Sequence, residues 1–182
     1  LDIIEELLKC SSQLENANLS EENEDKLKSL ITQMNLVSIR EVLLKVSSLS
    51  QLSILFSTIC QNSTVDTSQF VAIKAAVEVL CTVSFNANGN QISELVQTIC
   101  IEIDDLTGNE VAIILNVFSQ YFDFEGKRTA GVMEEQTKLV LDLLPKLLTM
   151  CTSTTYIIDA EIDGGGMSLA DYHTIHRSNH RA

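Results

Sequence analysis

The amino-acid sequence predicts an all-α fold, and three observations carry that prediction. Apolar residues recur at three- and four-residue spacing along most of residues 1–150, which is the period of a helix with one buried face. Seven glycines and one proline among 182 residues are too few for the frequent turns of an all-β domain. Aromatic residues make up 5% and Trp is absent, so Leu, Ile and Val must fill the core.

Polar capping residues followed by apolar stripes predict the first four helices. Ser and Asn side chains accept hydrogen bonds from the first free N–H groups of a helix, and acids in its first turn complement its dipole. These signals predict helices over Asp2–Asn16, after a cap at Ser20, over Ser38–Leu49, and over Leu52–Cys60 after a cap at Ser50.

The helix predicted over Ser68–Val83 is the most apolar in the chain. Asp66 or Thr67 precedes it as a cap, and its charged residues are Lys74 and Glu78, spaced as an i,i+4 pair. A helix that is apolar nearly all round must be covered on most of its sides. We therefore expect this helix to lie at the centre of the fold.

Two further helices are predicted after the break at residues 86–90. The first runs over Gln91–Asp104, and Thr107 begins the start signal of the second, Val111–Phe122. Aromatic residues at helical spacing are more often core than ligand platform. Three in the second helix are predicted to be core residues: Phe118, Tyr121 and Phe122.

The last predicted helix, Met133–Met150, follows a polar loop at residues 123–130 and contains the only proline of the sequence. A proline inside a helix lacks the N–H that the preceding turn needs, and its ring clashes with that turn. Pro145 therefore predicts a kink or a break near Asp142.

Composition divides the chain into a helical domain, residues 1–150, and a different C-terminal part. Residues 151–163 form a connecting segment in which Tyr156, Ile157 and Ile158 favour a short strand. Residues 164–182 begin with three glycines and are predicted to be a flexible, non-helical tail. His173, His176 and His180 have spacing compatible with a metal site, but the polar tail around them predicts no helix to hold them.

Two architectures fit the succession of polar caps and helices of 12 to 18 residues from Ser20 onward. One is an irregular multi-helix bundle. The other is a short α-solenoid, in which neighbouring helix pairs share a continuous core. No repeat consensus is legible, so the sequence leaves both open.

Charge and motifs exclude several classes of function. A net charge of −13 opposes binding to nucleic acid or to an anionic membrane surface, and no stretch is apolar enough to span a membrane. Phosphate-binding loops, nucleophile elbows and metal-ligand spacings are lacking in the sequence. We therefore expect a module that is not an enzyme, binds no cofactor or metal, and contacts other proteins.

The cysteines and the glycosylation sequons bear on the compartment. Sequons occur at Asn18 and Asn62, which is compatible with secretion. The cysteines have no metal-ligand pattern and leave two interpretations, buried thiols or one or two disulfides. The candidates for disulfides are Cys10, Cys60, Cys81, Cys100 and Cys151.

One stretch resembles a known family. The segments Ser50–Leu55 and Asn62–Ser68, followed by the Ala/Val/Leu-rich helix to Val83, are similar to the helical subdomain of extracellular receptor-stalk modules. These are the autoproteolysis-inducing domains of adhesion receptors and the related egg-jelly-receptor region of polycystin-like proteins. The resemblance covers roughly residues 20–150.

The resemblance implies a glycosylated extracellular spacer or adhesion surface in a large receptor or channel-like membrane protein, with the cysteines as disulfide candidates. The family's β-sandwich is missing unless residues 156–162 are its first strand, and the His-Leu-Ser/Thr cleavage tripeptide does not occur. The alternative is a cytoplasmic HEAT- or armadillo-like scaffold, whose acidic surface favours a partner helix or basic segment.

Overall fold

A computed structural model describes residues 2–16, 20–86, 89–122 and 134–150 of the chain. The loop at 123–130, the connecting segment 151–163 with its predicted strand, and the tail 164–182 lie outside the described residues. The described helices are α1 (Ile3–Asn16), α2 (Glu21–Thr32), α3 (Leu36–Leu44), α4 (Leu49–Asn62), α5 (Ser68–Thr82), α6 (Gly89–Ile103), α7 (Gly108–Tyr121) and α8 (Glu134–Leu141). The described ranges contain no strand, which confirms the all-α prediction.

The helices pack in two layers. The odd-numbered helices contact one another in the order α1, α3, α5 and α7, and the even-numbered helices in the order α2, α4, α6 and α8. Contacts between the layers join α1 to α2, α3 to α4, and α5 to α6, with further crossings from α4 to α5, α1 to α4, and α5 to α8. In the described part, extensive contacts thus join only helices that are at most three positions apart in the order of helices along the chain. Contacts restricted to near neighbours are typical of a short α-solenoid.

The layers enclose one continuous hydrophobic core. It extends from Ile4 in α1 to Leu147 near the end of the described chain, and most of its members are aliphatic. The predicted core aromatics Phe118 and Phe122 are buried, with ring centroids 6.0 Å apart, whereas Tyr121 is half-buried. The core therefore has the aliphatic composition that the sequence predicted.

Helix α5 occupies the centre of the stack, as predicted. It contacts α3, α4, α6, α7 and α8, and nine of its fifteen residues are buried. Ala72, Ala75 and Ala76 are among those nine, and their small side chains allow neighbouring helices to approach closely. The predicted boundaries, Ser68–Val83, differ from the observed ones by one residue.

Helix caps are confirmed in two places and corrected in two others. Ser20 caps α2 as predicted, and the predicted start signal at Thr107 is the cap of α7. Thr107 forms a capping box with Glu110, so α7 begins at Gly108, three residues before the predicted Val111. Helix α3 starts after Asn35, because Asn35 Oδ1 accepts from Ser38 N at 2.9 Å while Ser38 Oγ accepts from Asn35 N at 2.9 Å. Ser38 is thus the third residue of α3, which ends at Leu44. Helix α4 starts earlier than predicted because Ser48, and not Ser50, is its cap. The helix ends at Asn62, two residues beyond the predicted end.

The break predicted near Asp142 is present. Asp142 is a turn residue between α8 and a further helical segment, residues 143–150. Pro145 is the third residue of that segment, where no N–H donor is needed for an intrahelical bond. The proline is therefore tolerated as part of a helix start.

Two buried glutamines join helices that are distant in sequence. Gln51 Nε2 donates to Leu8 O at 2.9 Å and to Ser11 Oγ at 3.0 Å, which fastens α4 to α1. Gln136 Nε2 donates to Leu80 O and to Val83 O, both at 2.7 Å, while its Oε1 accepts from Phe85 N at 3.3 Å. Gln136 thus satisfies backbone groups at the end of α5 and fixes α8 against them.

Replacing Gln136 with Leu is expected to lower the free energy of unfolding by about 2 to 3 kcal/mol. The change leaves buried backbone groups of α5 without partners, and each such group costs about 1 to 3 kcal/mol. Gln97→Leu, at an exposed position of α6, is the control and should change stability by no more than about 0.5 kcal/mol. Urea unfolding of both variants measures the difference, and equal midpoints would contradict the assigned role.

Thr67, immediately before α5, has a left-handed backbone with φ 63° and makes no capping hydrogen bond through its side chain. A β-branched residue in this region is strained. Thr67→Gly is therefore expected to stabilise the protein by about 1 kcal/mol, since glycine adopts this conformation without a Cβ clash. Thr67→Ala retains Cβ and should give less than half of that gain in thermal unfolding.

Candidate functional site

A groove of about 470 Å³ lies on the described surface between the end of α1, helix α2 and helix α4. We call it the α2/α4 groove. Its lining residues are Leu14, Glu24, Leu27, Lys28, Ser53, Ile54, Ser57, Thr58 and Gln61. The groove arises because α2 and α4 are neighbours in the even-numbered layer while α1 contacts both of them.

The floor of the groove is apolar. Leu27 is buried, and Leu14 and Ile54 are half-buried where the three helices meet. The α4 wall contributes Ser53 and Ser57, one helical turn apart, whose small side chains leave room beside the backbone. Thr58 Oγ1 donates to Ile54 O at 2.6 Å, so this hydroxyl is already satisfied within α4. An apolar side chain entering the groove would therefore displace few strong hydrogen bonds.

Charge is confined to the α2 side of the groove. Helix α4 has no charged residue over its 14 positions, whereas Glu24 and Lys28 of α2 both line the groove. Their i,i+4 spacing favours an ion pair, yet neither belongs to an ion pair within the described ranges. Glu24 is half-buried and Lys28 is exposed, so both charges remain available to a partner.

A smaller recess of about 190 Å³ lies on the odd-numbered layer, between α3, α5 and α7. Arg40 and Glu78 form an ion pair across it at 3.4 Å, and Lys74 is another lining residue. Among the described ion pairs, Glu78 is therefore bound to Arg40 of α3 and not to Lys74, the residue four positions before it on α5. Because Arg40 is about half exposed, its ion pair contributes at most about 1 kcal/mol.

The acidic end of α6 is used partly for packing. Gln69 Nε2 donates to Glu102 O at 3.1 Å and also contacts the Glu102 carboxylate, which ties α5 to α6. Asp104 forms an ion pair with Lys146 of the segment 143–150. Asp104 and Asp105 are exposed, as expected for a solvated helix end, whereas Glu102 is half-buried.

Of the two sequons, the structure describes the one at Asn62; Asn18 lies outside the described residues. Asn62 is the last residue of α4 and is half-buried, and its Nδ2 donates to Thr58 O at 2.9 Å. Gln61, its neighbour in sequence, lines the α2/α4 groove. A glycan on Asn62 would replace one N–H of this amide and would start close to the groove.

No disulfide joins two of the four described cysteines in the structure. Cys10 and Cys81 are buried, Cys60 and Cys100 are half-buried, and Cys151 lies outside the described residues. Cys10 Sγ donates to Asn23 O at 3.2 Å between α1 and α2. Burial raises the pKa of the Cys60 thiol to about 12, with a smaller contribution from Glu102, and burial also raises the pKa of Cys10 and of Cys100. A raised pKa opposes thiolate formation, so these thiols are poor nucleophiles at neutral pH.

The described ranges also bear on metal binding and on membrane insertion. They contain no group of three or more His, Cys, Asp or Glu side chains arranged to hold a metal ion. The three histidines of the tail lie outside these ranges. Among the described helices, none has both the length and the apolar character needed to cross a membrane.

Comparison with known proteins gives no match to a family model, to a curated protein or to a solved structure. Function is therefore inferred from the geometry of this chain. The α2/α4 groove was not predicted from the sequence, in which residues 46–65 carry no charged side chain. This charge-free stretch contains α4, but it becomes a groove wall only because α2 packs beside α4.

Alkaline titration is expected to reveal the buried Cys60 thiol. Its pKa in the folded protein, about 12, lies above the ordinary cysteine value of 9.0 that applies to the unfolded chain. The stability contribution is therefore fully present below pH 9 and is lost as the pH rises towards 12, at about 1.4 kcal/mol per pH unit. Urea unfolding should show a smaller loss over this range for Cys60→Ala than for the unmodified chain. Parallel pH profiles for the two proteins would contradict the burial of this thiol.

Proposed function

We propose that this chain is a non-catalytic module that holds or contacts other protein surfaces. The observation that supports this most directly is the two-layered helix stack with the α2/α4 groove on its surface. Stacked helix pairs provide an extended surface while each pair needs only its neighbours for stability. Gln51 and Gln136 are buried and donate hydrogen bonds to backbone carbonyls of other helices. These two side chains therefore stabilise the fold.

The placement that we propose is the extracellular region of a large receptor or channel-like membrane protein, as a spacer or adhesion surface. It is supported by the resemblance to receptor-stalk helical subdomains and by the sequons at Asn18 and Asn62. The end of α4 carries Asn62, and Thr64 of the same sequon is exposed.

A second candidate is a cytoplasmic scaffold of HEAT- or armadillo-like organisation, and one observation favours it. The contacts within each layer and between the layers follow the order of stacked helix pairs. The thiol state of Cys10, Cys60 and Cys100 is also compatible with a reducing compartment. Both candidates share the contact function and differ in compartment.

Mass spectrometry of the protein isolated from its native source separates the two placements. The extracellular placement predicts a glycan on Asn18 or Asn62, or at least one disulfide among the five cysteines. Asparagines without glycan together with five thiols that all react with an alkylating reagent after denaturation would refute it and support the scaffold. Enzymatic removal of N-glycans, which converts the modified Asn to Asp, is the control that locates each site.

A further inference from the structure

We propose that the α2/α4 groove binds a basic amphipathic helix of a partner protein. The proposal rests on the proposed function only in taking the chain to be a contact module, and it adds the site and the chemistry of the partner. It holds for either compartment.

The shape of the groove fits a helix. Its walls are two neighbouring helices, and the lining residues of α4 run from Ser53 to Gln61, about 12 Å or two turns. The side chains of two neighbouring helices form a groove into which a third helix can pack a ridge of its own side chains. Apolar residues at positions i, i+3 or i+4, and i+7 of that third helix would follow the groove. The small Ser53 and Ser57 side chains allow that helix to approach closely. Leu14, Leu27 and Ile54 would contact its apolar face.

The charge of the surrounding surface selects a basic partner. Residues 2–32, which contain α1 and α2, carry eight acidic side chains against three basic ones. Glu24 lies in the groove wall, and Glu21 is on the same face of α2 one turn earlier. Lys28 of α2 lines the same groove but forms no ion pair with Glu24 in the described ranges. Because Glu24 is half-buried, a Lys or Arg of the partner could bind its carboxylate directly.

The same charges disfavour the other occupants of such a groove. A second copy of this chain would bring its own net charge of −13 towards the acidic α1/α2 region. An anionic lipid surface or a phosphate backbone would meet the same repulsion. A cationic protein segment gains from this field both in association rate and in affinity.

Binding of two model peptides to the whole chain tests the proposal. The probes are two helical peptides of about 18 residues, or five turns, that share the same face of Leu residues. All remaining positions are Lys in one peptide and Glu in the other. Isothermal titration calorimetry should show saturable binding of the Leu/Lys peptide that weakens with salt, and binding of the Leu/Glu peptide at least about tenfold weaker. No binding of the Leu/Lys peptide, or equal binding of the two peptides, would overturn the proposal.

Substitutions in the groove locate the binding site. Ser57→Trp fills the groove and should weaken Leu/Lys binding about tenfold or more. Ser119→Trp, at an exposed position on α7, adds the same side chain elsewhere and should leave binding unchanged. Circular dichroism of both variants establishes that they are folded. Equal weakening by the two substitutions would show that the peptide does not occupy the groove.

Charge reversal provides a second test that does not depend on filling the groove. Glu24→Lys should weaken Leu/Lys binding and strengthen Leu/Glu binding, whereas Glu94→Lys, at an exposed position on α6, should change the ratio little. An equal change of the ratio in both variants would mean that net charge alone drives binding, and would overturn the assignment.

Sedimentation of the chain without peptide must show a monomer, because dimerisation that Ser57→Trp abolishes would assign the groove to a second copy. Failure of any of these tests leaves the compartment, which glycans and disulfides report, undecided by them.

Discussion

The need to cover helix α5 on nearly every side organises this protein. Its two charged residues, Lys74 and Glu78, are half-buried, and the rest of the helix offers water almost no polar face. Burying such a helix requires neighbours in both layers, and α3, α4, α6, α7 and α8 supply them. The ion pair between Glu78 and Arg40 then follows from α3 lying beside α5. Helices α1 and α2, at one end of the stack, therefore need no extensive contact with α7 and α8 at the other end.

Hydrogen bonds to backbone groups set the ends of the helices within this stack. Gln136 satisfies the last carbonyls of α5, and Gln51 reaches from α4 to the backbone of α1. Each buried amide has several polar partners, which offsets the cost of removing it from water. These contacts fix the relative positions of helices that apolar packing alone would allow to slide, because Leu and Ile side chains give weak directional preference.

The α2/α4 groove is a consequence of the same arrangement. Helices α2 and α4 belong to one layer, and α1 supports both from the other. Leu14, Leu27 and Ile54 form an apolar floor, and small hydroxyl residues of α4 form one wall. The other wall is α2, which has acids in its first turn and contributes Glu24 and Lys28 to the lining. This combination is the basis of the proposal that the groove binds a protein segment. A glycan at the adjacent Asn62 would limit access from one end of the groove.

Sequence alone determined the helical class, the central place of α5, the caps at Ser20 and Thr107, and the break before Pro145. These depend on local signals, namely apolar period, side-chain capping and the missing N–H of proline, which act within a few residues. It misplaced the starts of α3 and α4, where several Ser and Asn residues compete as caps and packing selects among them. The choice of a stack over a bundle, the partners of Gln51, Gln136 and Glu78, and the existence of the groove were decided by tertiary structure. Each of these joins residues that are far apart in sequence, and no local pattern encodes which helices become neighbours.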